Sequence, residues 1–442
     1  MTTAPLPLIA VADRTPPMIF GRLSVMMFLQ FAIQGAWLPL IFGFLRNHVG
    51  IDQGTVGNIL AVGAVGAMLS PLIAGQVADR YMNAERLMAI CHIIGAGVVL
   101  AIAYVTDATV LYGLSFAYGL LYTPTLALVN SISFRHLPDA GRDFGKVRVW
   151  GTAGWIVVGI AMGHWVLFRA GDNRAMQFAA MADAMRLSAA LGIALAVYSL
   201  TLPATPPSRG AQKFAPGEAL KEIVHHRPLL TLFLLTFVVA GLHSFFFART
   251  AEYLTAGRLE VPKDSLLVKI FGAGGGGIST IGQFSEVIVL ALMPLVIKRV
   301  NRKTLFAVGL IAYAARFFLF AYFPTTWAIV PALALHGIVF GCFFFLVFIT
   351  IDEFTTRDVR SSAQNVFNLL IFGFGVIWGN WFSGALGKWV TRPDNTLDWQ
   401  TFYAVPGFVT LGCLLVLLVM YPRRAVATVP VEPRGFEPVV KS

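Results

Sequence analysis

The sequence predicts an all-α integral membrane protein with twelve transmembrane helices in two six-helix halves. Three observations predict it. The 442 residues are 57% hydrophobic and only 12% charged, whereas a soluble chain is nearer half apolar and a quarter charged. Mean hydropathy is +0.74, so most of the surface faces something other than water. The apolar residues form continuous runs with no alternation, which selects helices over a transmembrane barrel. Twelve such runs occur, each near the ~20 residues that carry a helix across a bilayer.

In chain order, the first run (23–45) carries Gln30 and Gln34, four apart on one face. The second (55–78) ends in Gly75-Gln76-Val77-Ala78-Asp79-Arg80. There a Gly allows close helix approach, an Asp sits at a helix end, and an Arg anchors in the interface. The third (87–106) and fourth (109–133) hold His92 and Asn130, read as interhelical hydrogen-bonding groups. The fifth (148–168) opens with Arg148, Thr152 and Trp155 on one face. The sixth is 184–203. The longest internal polar stretch, 204–227, follows and reads as the linker between the halves 1–203 and 228–422.

The seventh run (228–248) contains Gly241-Leu242-His243-Ser244-Phe245-Phe246-Phe247. The eighth (266–297) contains Gly274-Gly275-Gly276-Gly277, which weakens the helix into a hinge or a close-packing site, and then Gln283 and Glu286. Four glycines with no following Lys-Ser or Lys-Thr do not make a phosphate loop. Arg316 lies in the middle of the ninth run (304–323). The tenth (326–350) contains Gly341-Cys342, the eleventh is 361–387 and the twelfth 401–421. From Arg423 the tail lacks helical periodicity and is expected to be disordered.

Charge gives the topology. Of the 33 Lys and Arg, 22 fall in the segments that share a side with the termini, which places both termini in the cytoplasm. The net charge of +11 is therefore a property of cytoplasmic loops, and nucleic acid is not an expected partner. The three cysteines, Cys91, Cys342 and Cys413, sit inside apolar runs and read as packing residues. No metal spacing, nucleophile elbow or nucleotide motif occurs. The expectation is a non-enzyme without cofactor or metal, in the lipid bilayer of the cytoplasmic (inner) membrane, working as a monomer.

The Gly75–Arg80 turn matches the loop signature of the major facilitator superfamily in part, with Met82 where a Gly usually stands. Lys298-Arg299-Val300-Asn301-Arg302-Lys303 is a degenerate basic copy in the second half. At finer grain the chain resembles the bacterial nucleoside:proton symporters of that superfamily. The matching stretches are FLQFAIQGAW (28–37), AICHIIGA (89–96), YTPTLALVNSISF (122–134), RVWGTAGWI (148–156), QFSE (283–286), ARFFLFAYF (315–323), SSAQNVF (361–367) and DWQTFY (398–403). They span nearly the whole chain.

The resemblance implies the major facilitator fold and import of nucleosides with protons by alternating access, the two halves rocking about a midplane site. It places Arg148, Thr152 and Trp155 in that site, where guanidinium and hydroxyl hydrogen-bond ribose or base and the ring stacks. Read from the residues alone, Arg148 can also snorkel to the cytoplasm, with Thr152 satisfied by its own helix.

Gln283 and Glu286 match the family's Gln and Glu. Glu286, an ionisable group inside the membrane, is read for substrate binding and proton coupling, with an ion pair to Arg148 or Arg316 as the competing reading. Arg316 is read as a structural or gating charge, beside the loop residues Gly75, Asp79 and Arg80. The family's polar amides in the seventh span are replaced by Ser244 and Phe247. His243 is either a compensating polar group or a core histidine. The family's tenth-span Asp after Gly-Cys is missing: Gly341-Cys342 runs into Phe343-Phe344-Phe345-Leu346. Phe340 and Phe344, four apart, stack on a base or pack, and Gln30 and Gln34 face the cavity or hydrogen-bond between helices. Three alternatives stay open: a sugar or glycoside:proton symporter of the same fold, a facilitative uniporter, and a non-transporting membrane sensor.

Overall fold

A computed structural model describes residues 15–207, 216–256, 265–272 and 275–422; the side chains of 71–80, 216, 357, 358 and 361 lie outside that description. Among the described residues, eleven helices are long and apolar enough to cross a membrane. Ala108–His136, with 29 residues, completes twelve; at 1.5 Å per residue it is about 43 Å long. The spans are Pro17–Val49, Gln53–Arg80, Ala84–Ile102, Ala108–His136, Ala140–Ala170, Arg174–Ser199, Arg227–Thr255, Gly275–Val296, Arg302–Tyr322, Thr326–Phe354, 357–389 and Trp399–Met420.

Local chemistry sets the helix starts. Side chains of Asp107, Asp139, Asn173, Asn301 and Asp398 each accept a hydrogen bond from a backbone N–H three residues on, satisfying one of the four orphan donors of a helix start. The cap at Asp139 begins the fifth span eight residues before the apolar run does. Arg148 therefore lies about 12 Å along the helix rather than at its mouth. Prolines 124, 294, 331 and 406 sit inside helices, as membrane helices tolerate. Exposed aromatics stand at span ends, with Tyr81 78%, Tyr104 64%, Trp327 70% and Trp389 72% accessible, as at a headgroup boundary.

One expectation changes. The eighth run is not one helix: Leu266–Phe271 stops at Gly272, whose φ of +76° favours glycine. A single turn, Gly275–Ile278, follows, and then Ile281–Val296. Glu286 thus sits in the second turn of a helix, not deep within a 30-residue one. Helix Pro216–His225 packs on the eleventh span, where the Glu222 carboxylate accepts from the Thr356 hydroxyl at 2.8 Å. Residues 208–215 and the tail from Arg423 lie outside the described residues. So do Gly274 and the side chains of Gly75, Asp79 and Arg80, at the end of helix Gln53–Arg80.

Helix contacts form two compact units. The first comprises Met1–Ala211, Ser244–Gln283 and Val376–Leu397; the second comprises Gln212–His243, Phe284–Gly375 and Asp398–Ser442. In the first, the first span packs on the fifth and sixth, the second on the fourth, and the third on the fourth and sixth. Small residues make these approaches: a Cβ on Gly119 would lie 2.0 Å from the Gly63 carbonyl oxygen. The ends of the seventh, eighth and eleventh spans remote from the linker belong to the same unit. There a Cβ on Gly163 would meet the Phe271 carbonyl oxygen at 2.4 Å, so the broken eighth span seats directly on the fifth. In the second unit the ninth span packs on the tenth and twelfth.

Candidate functional site

The predicted polar residues separate into two groups, one in each unit. In the first, glycines fix the fifth span against the first. A Cβ on Gly154 would lie 2.2 Å from the Phe28 carbonyl oxygen, and one on Gly151 would lie 2.6 Å from the Phe31 ring. This close approach stacks the Arg148 guanidinium over Phe31, 4.0 Å from the ring centroid. It also lays Trp155 against Gly35, where a Cβ would meet the indole at 2.9 Å. The Trp155 and Phe247 rings are 5.5 Å apart and tilted by 59°. Arg148, Thr152, Trp155, Ser244, Phe247 and Gln283 are all half-buried. A cation, a hydroxyl, an amide and two aromatic faces in one unit can hydrogen-bond and stack a flat polar heterocycle.

Gln30 is placed differently from the cavity-facing expectation. It is fully buried. Its amide nitrogen donates to Thr125 Oγ1 at 2.7 Å, its amide oxygen meets His92 Nε2 at 2.9 Å, and Tyr122 donates to its carbonyl at 2.7 Å. Both ends of the amide are used in joining the first, third and fourth spans.

The second group centres on Glu286. Its Oε2 faces His336 Nε2 of the tenth span at 3.3 Å, and His336 Nδ1 meets Arg316 Nη1 of the ninth at 3.1 Å. Arg316 is fully buried and lies 4.7 Å from the Tyr313 ring centroid. The Tyr313 hydroxyl is 3.0 Å from His243 Nδ1, and the His243 and His336 rings are 5.3 Å apart. Glu286 thus faces His336, and His336 in turn faces Arg316.

Just beyond His336, Phe340–Phe345 forms a π-helical turn, a departure from α geometry common at functional sites. Phe344 is 3% exposed and packs its edge on His243 at 5.1 Å, so packing already occupies that ring. Phe340 remains half-buried, 6.4 Å from the His336 ring. The sequence reading passed over His336, although an ionisable side chain inside an apolar run is itself a signal.

A third cluster was also missed. Arg249 of the seventh span is fully buried, with Nε 2.9 Å from Glu252 Oε2 and Nη2 donating to Gln53 Oε1 at 2.8 Å. Its guanidinium lies 3.9 Å from the Phe42 ring centroid. Asn47 donates to the other Glu252 oxygen at 3.0 Å, and Gln53 donates to Thr391 Oγ1 at 3.2 Å. The cluster ties together the ends of the first, second, seventh and eleventh spans. Among the described residues, no group of three or more His, Cys, Asp or Glu is placed to hold a metal ion.

Comparison with known proteins bears on this arrangement. The profile of the nucleoside H+ symporter family matches residues 18–425. The chain is 28% identical over 424 residues to the putative nucleoside transporter YegT of Escherichia coli (strain K12), covering 92% of this chain and 94% of that one. It is 29% identical over 409 residues to the xanthosine permease of the same organism, covering 87% and 91%. A crystal structure of a mutant of the nucleoside transporter NupG superposes with a TM-score of 0.80 at 25% identity, covering 91% of this chain and all of that one.

Proposed function

The chain belongs to the nucleoside H+ symporter family, a secondary active transporter of the major facilitator fold importing nucleosides with protons, and we propose how its residues divide that work. Arg148, Thr152, Trp155 and Gln283 hold the nucleoside. Trp155 stacks on the base beside Phe247; Arg148 and Thr152 hydrogen-bond ribose and base, and Gln283 offers an amide to either. Ser244 lines the same unit. Glu286 binds the proton. Gln30 supports the helices without touching substrate, and Phe340 and Phe344 enclose the proton site.

The observation that carries this division is the helix Ile281–Val296, which holds Gln283 in its first turn and Glu286 three residues on. A proton at Glu286 relieves an intramembrane charge. Two bodies, 1–203 and 228–422, joined by 204–227, alternate access.

The Lys and Arg distribution supports cytoplasmic termini in the inner membrane. The protein works as a monomer. No feature of the described residues favours a sugar over a nucleoside.

Uptake of radiolabelled uridine and adenosine into proteoliposomes, with and without an inward proton gradient, tests the reading. Gradient-stimulated uptake is expected in the native protein. Its loss in Glu286→Gln is expected, and unchanged gradient-driven uptake in that variant refutes the proton assignment.

A further inference from the structure

The family's tenth-span carboxylate is absent here, yet the tenth span still presents a titratable group to Glu286. Hydrogen-bond logic fixes the state of that group. A guanidinium has only donors, so Arg316 Nη1, 3.1 Å from His336 Nδ1, must donate there. Nδ1 is then the acceptor, and the ring proton sits on Nε2. That nitrogen is the one facing Glu286 Oε2 at 3.3 Å. A second proton on Nδ1 would point an N–H at another N–H.

We propose that His336, held by Arg316 in the Nε2–H tautomer, is the positioning residue of the proton site. Its Nε2 faces the Glu286 carboxylate at 3.3 Å and leaves Glu286 as the atom set that takes the proton. This rests on the reading of Glu286 as the proton carrier. In the proton-free state Glu286 is anionic and attracts the polar edge of His336. When a proton binds a Glu286 oxygen, the carboxylate becomes a neutral acid. The charge-assisted contact to His336 weakens, and the imidazole, still neutral, is released from the eighth span. The proton leaves by the reverse step, and no charge is left on the histidine at any stage. The proton state of Glu286 thereby sets how tightly the eighth span is held to the tenth.

The other groups around the pair agree with this assignment. His243 of the seventh span is occupied by Tyr313 of the ninth, through Nδ1 and the phenol oxygen 3.0 Å apart. Tyr403 of the twelfth span also acts electrostatically on Arg316. Phe340 and Phe344 supply only apolar faces. Glu286 is the sole carboxylate named at the cluster among the described residues. The π-helical turn Phe340–Phe345 begins four residues after His336.

The test is the initial rate of radiolabelled uridine uptake into proteoliposomes as a function of external pH. The proteins are the native chain, His336→Gln and His336→Leu, each first shown to be monodisperse in detergent. Glutamine can place an amide oxygen toward Arg316 and an N–H toward Glu286; leucine keeps the volume and offers neither. For His336→Leu the half-maximal pH of uptake is expected to move by about one unit, the size of one polar contact to a charged group. His336→Gln is expected to return it to within about 0.3 unit of native.

Two results overturn the inference while leaving the symporter reading intact. One is a midpoint unmoved in both variants. The other is loss of all gradient response in His336→Gln, which would make the histidine itself the carrier. A native protein whose uptake ignores the gradient sinks the proton reading itself.

Discussion

Replacing Arg249 by methionine probes the buried cluster that joins the first, second, seventh and eleventh spans. Arg249 is 0% and Glu252 4% exposed. The Glu252 carboxylate has Arg249 at 2.9 Å on one oxygen and the Asn47 amide at 3.0 Å on the other. Methionine retains the apolar contact with Phe42 but strips the carboxylate of its cation. It also strips Gln53 Oε1 of its donor.

Breaking a buried pair by removing one partner costs about 3–5 kcal/mol, because the surviving charge stays buried and uncompensated. Removing both charges costs far less, since desolvation of the pair is then avoided. Arg249→Met is accordingly expected to lower the apparent unfolding temperature in detergent by on the order of 5–10 °C. Arg249→Met/Glu252→Gln is expected to recover at least half of that loss. Differential scanning fluorimetry of the three proteins at one pH and detergent concentration makes the comparison. A double variant as unstable as the single one, or a single one as stable as native, refutes the argument that charge compensation holds this cluster.

Trp155→Ala removes the proposed stacking face and is expected to raise KM for uridine about 10- to 100-fold, from ~1–3 kcal/mol per stacked base. Trp155→Phe should retain most of the affinity, and equal KM values in all three proteins argue against stacking. Gly163→Ala drives a methyl to within 2.4 Å of the Phe271 carbonyl oxygen and 3.1 Å of the Gly277 nitrogen. Both are backbone atoms, so the helices must part, at about 1–3 kcal/mol, visible as a fall in unfolding temperature. Gly145→Ala, in the same helix with nothing within 4 Å, should be neutral or stabilise by about 0.5–1 kcal/mol.

Much of the architecture was legible in the sequence because the constraints behind it are local. A helix in lipid must satisfy its own backbone, so each span is written as a contiguous apolar run. Arg148, Thr152 and Trp155 could be placed on one face because four- and seven-residue spacings fix a helical face without reference to anything else.

Tertiary structure alone decided the partners. The glycine run in the eighth span reads as a hinge or close-packing site, but that the break falls at Gly272, where Gly277 and Gly163 let the backbone sit against the fifth span and Phe271, follows from tertiary packing. Glu286 was recognisable as an expensive intramembrane charge, and Arg316 as another. That His336 stands between them depends on the mutual rotation of three helices, a non-local quantity. Arg249 and Gln53 are 196 residues apart, and no spacing rule links them. A run of residues determines that a helix crosses the membrane and which of its residues share a face. What that face meets is set by how closely glycines let helices approach and by where a π-helical turn resets the register.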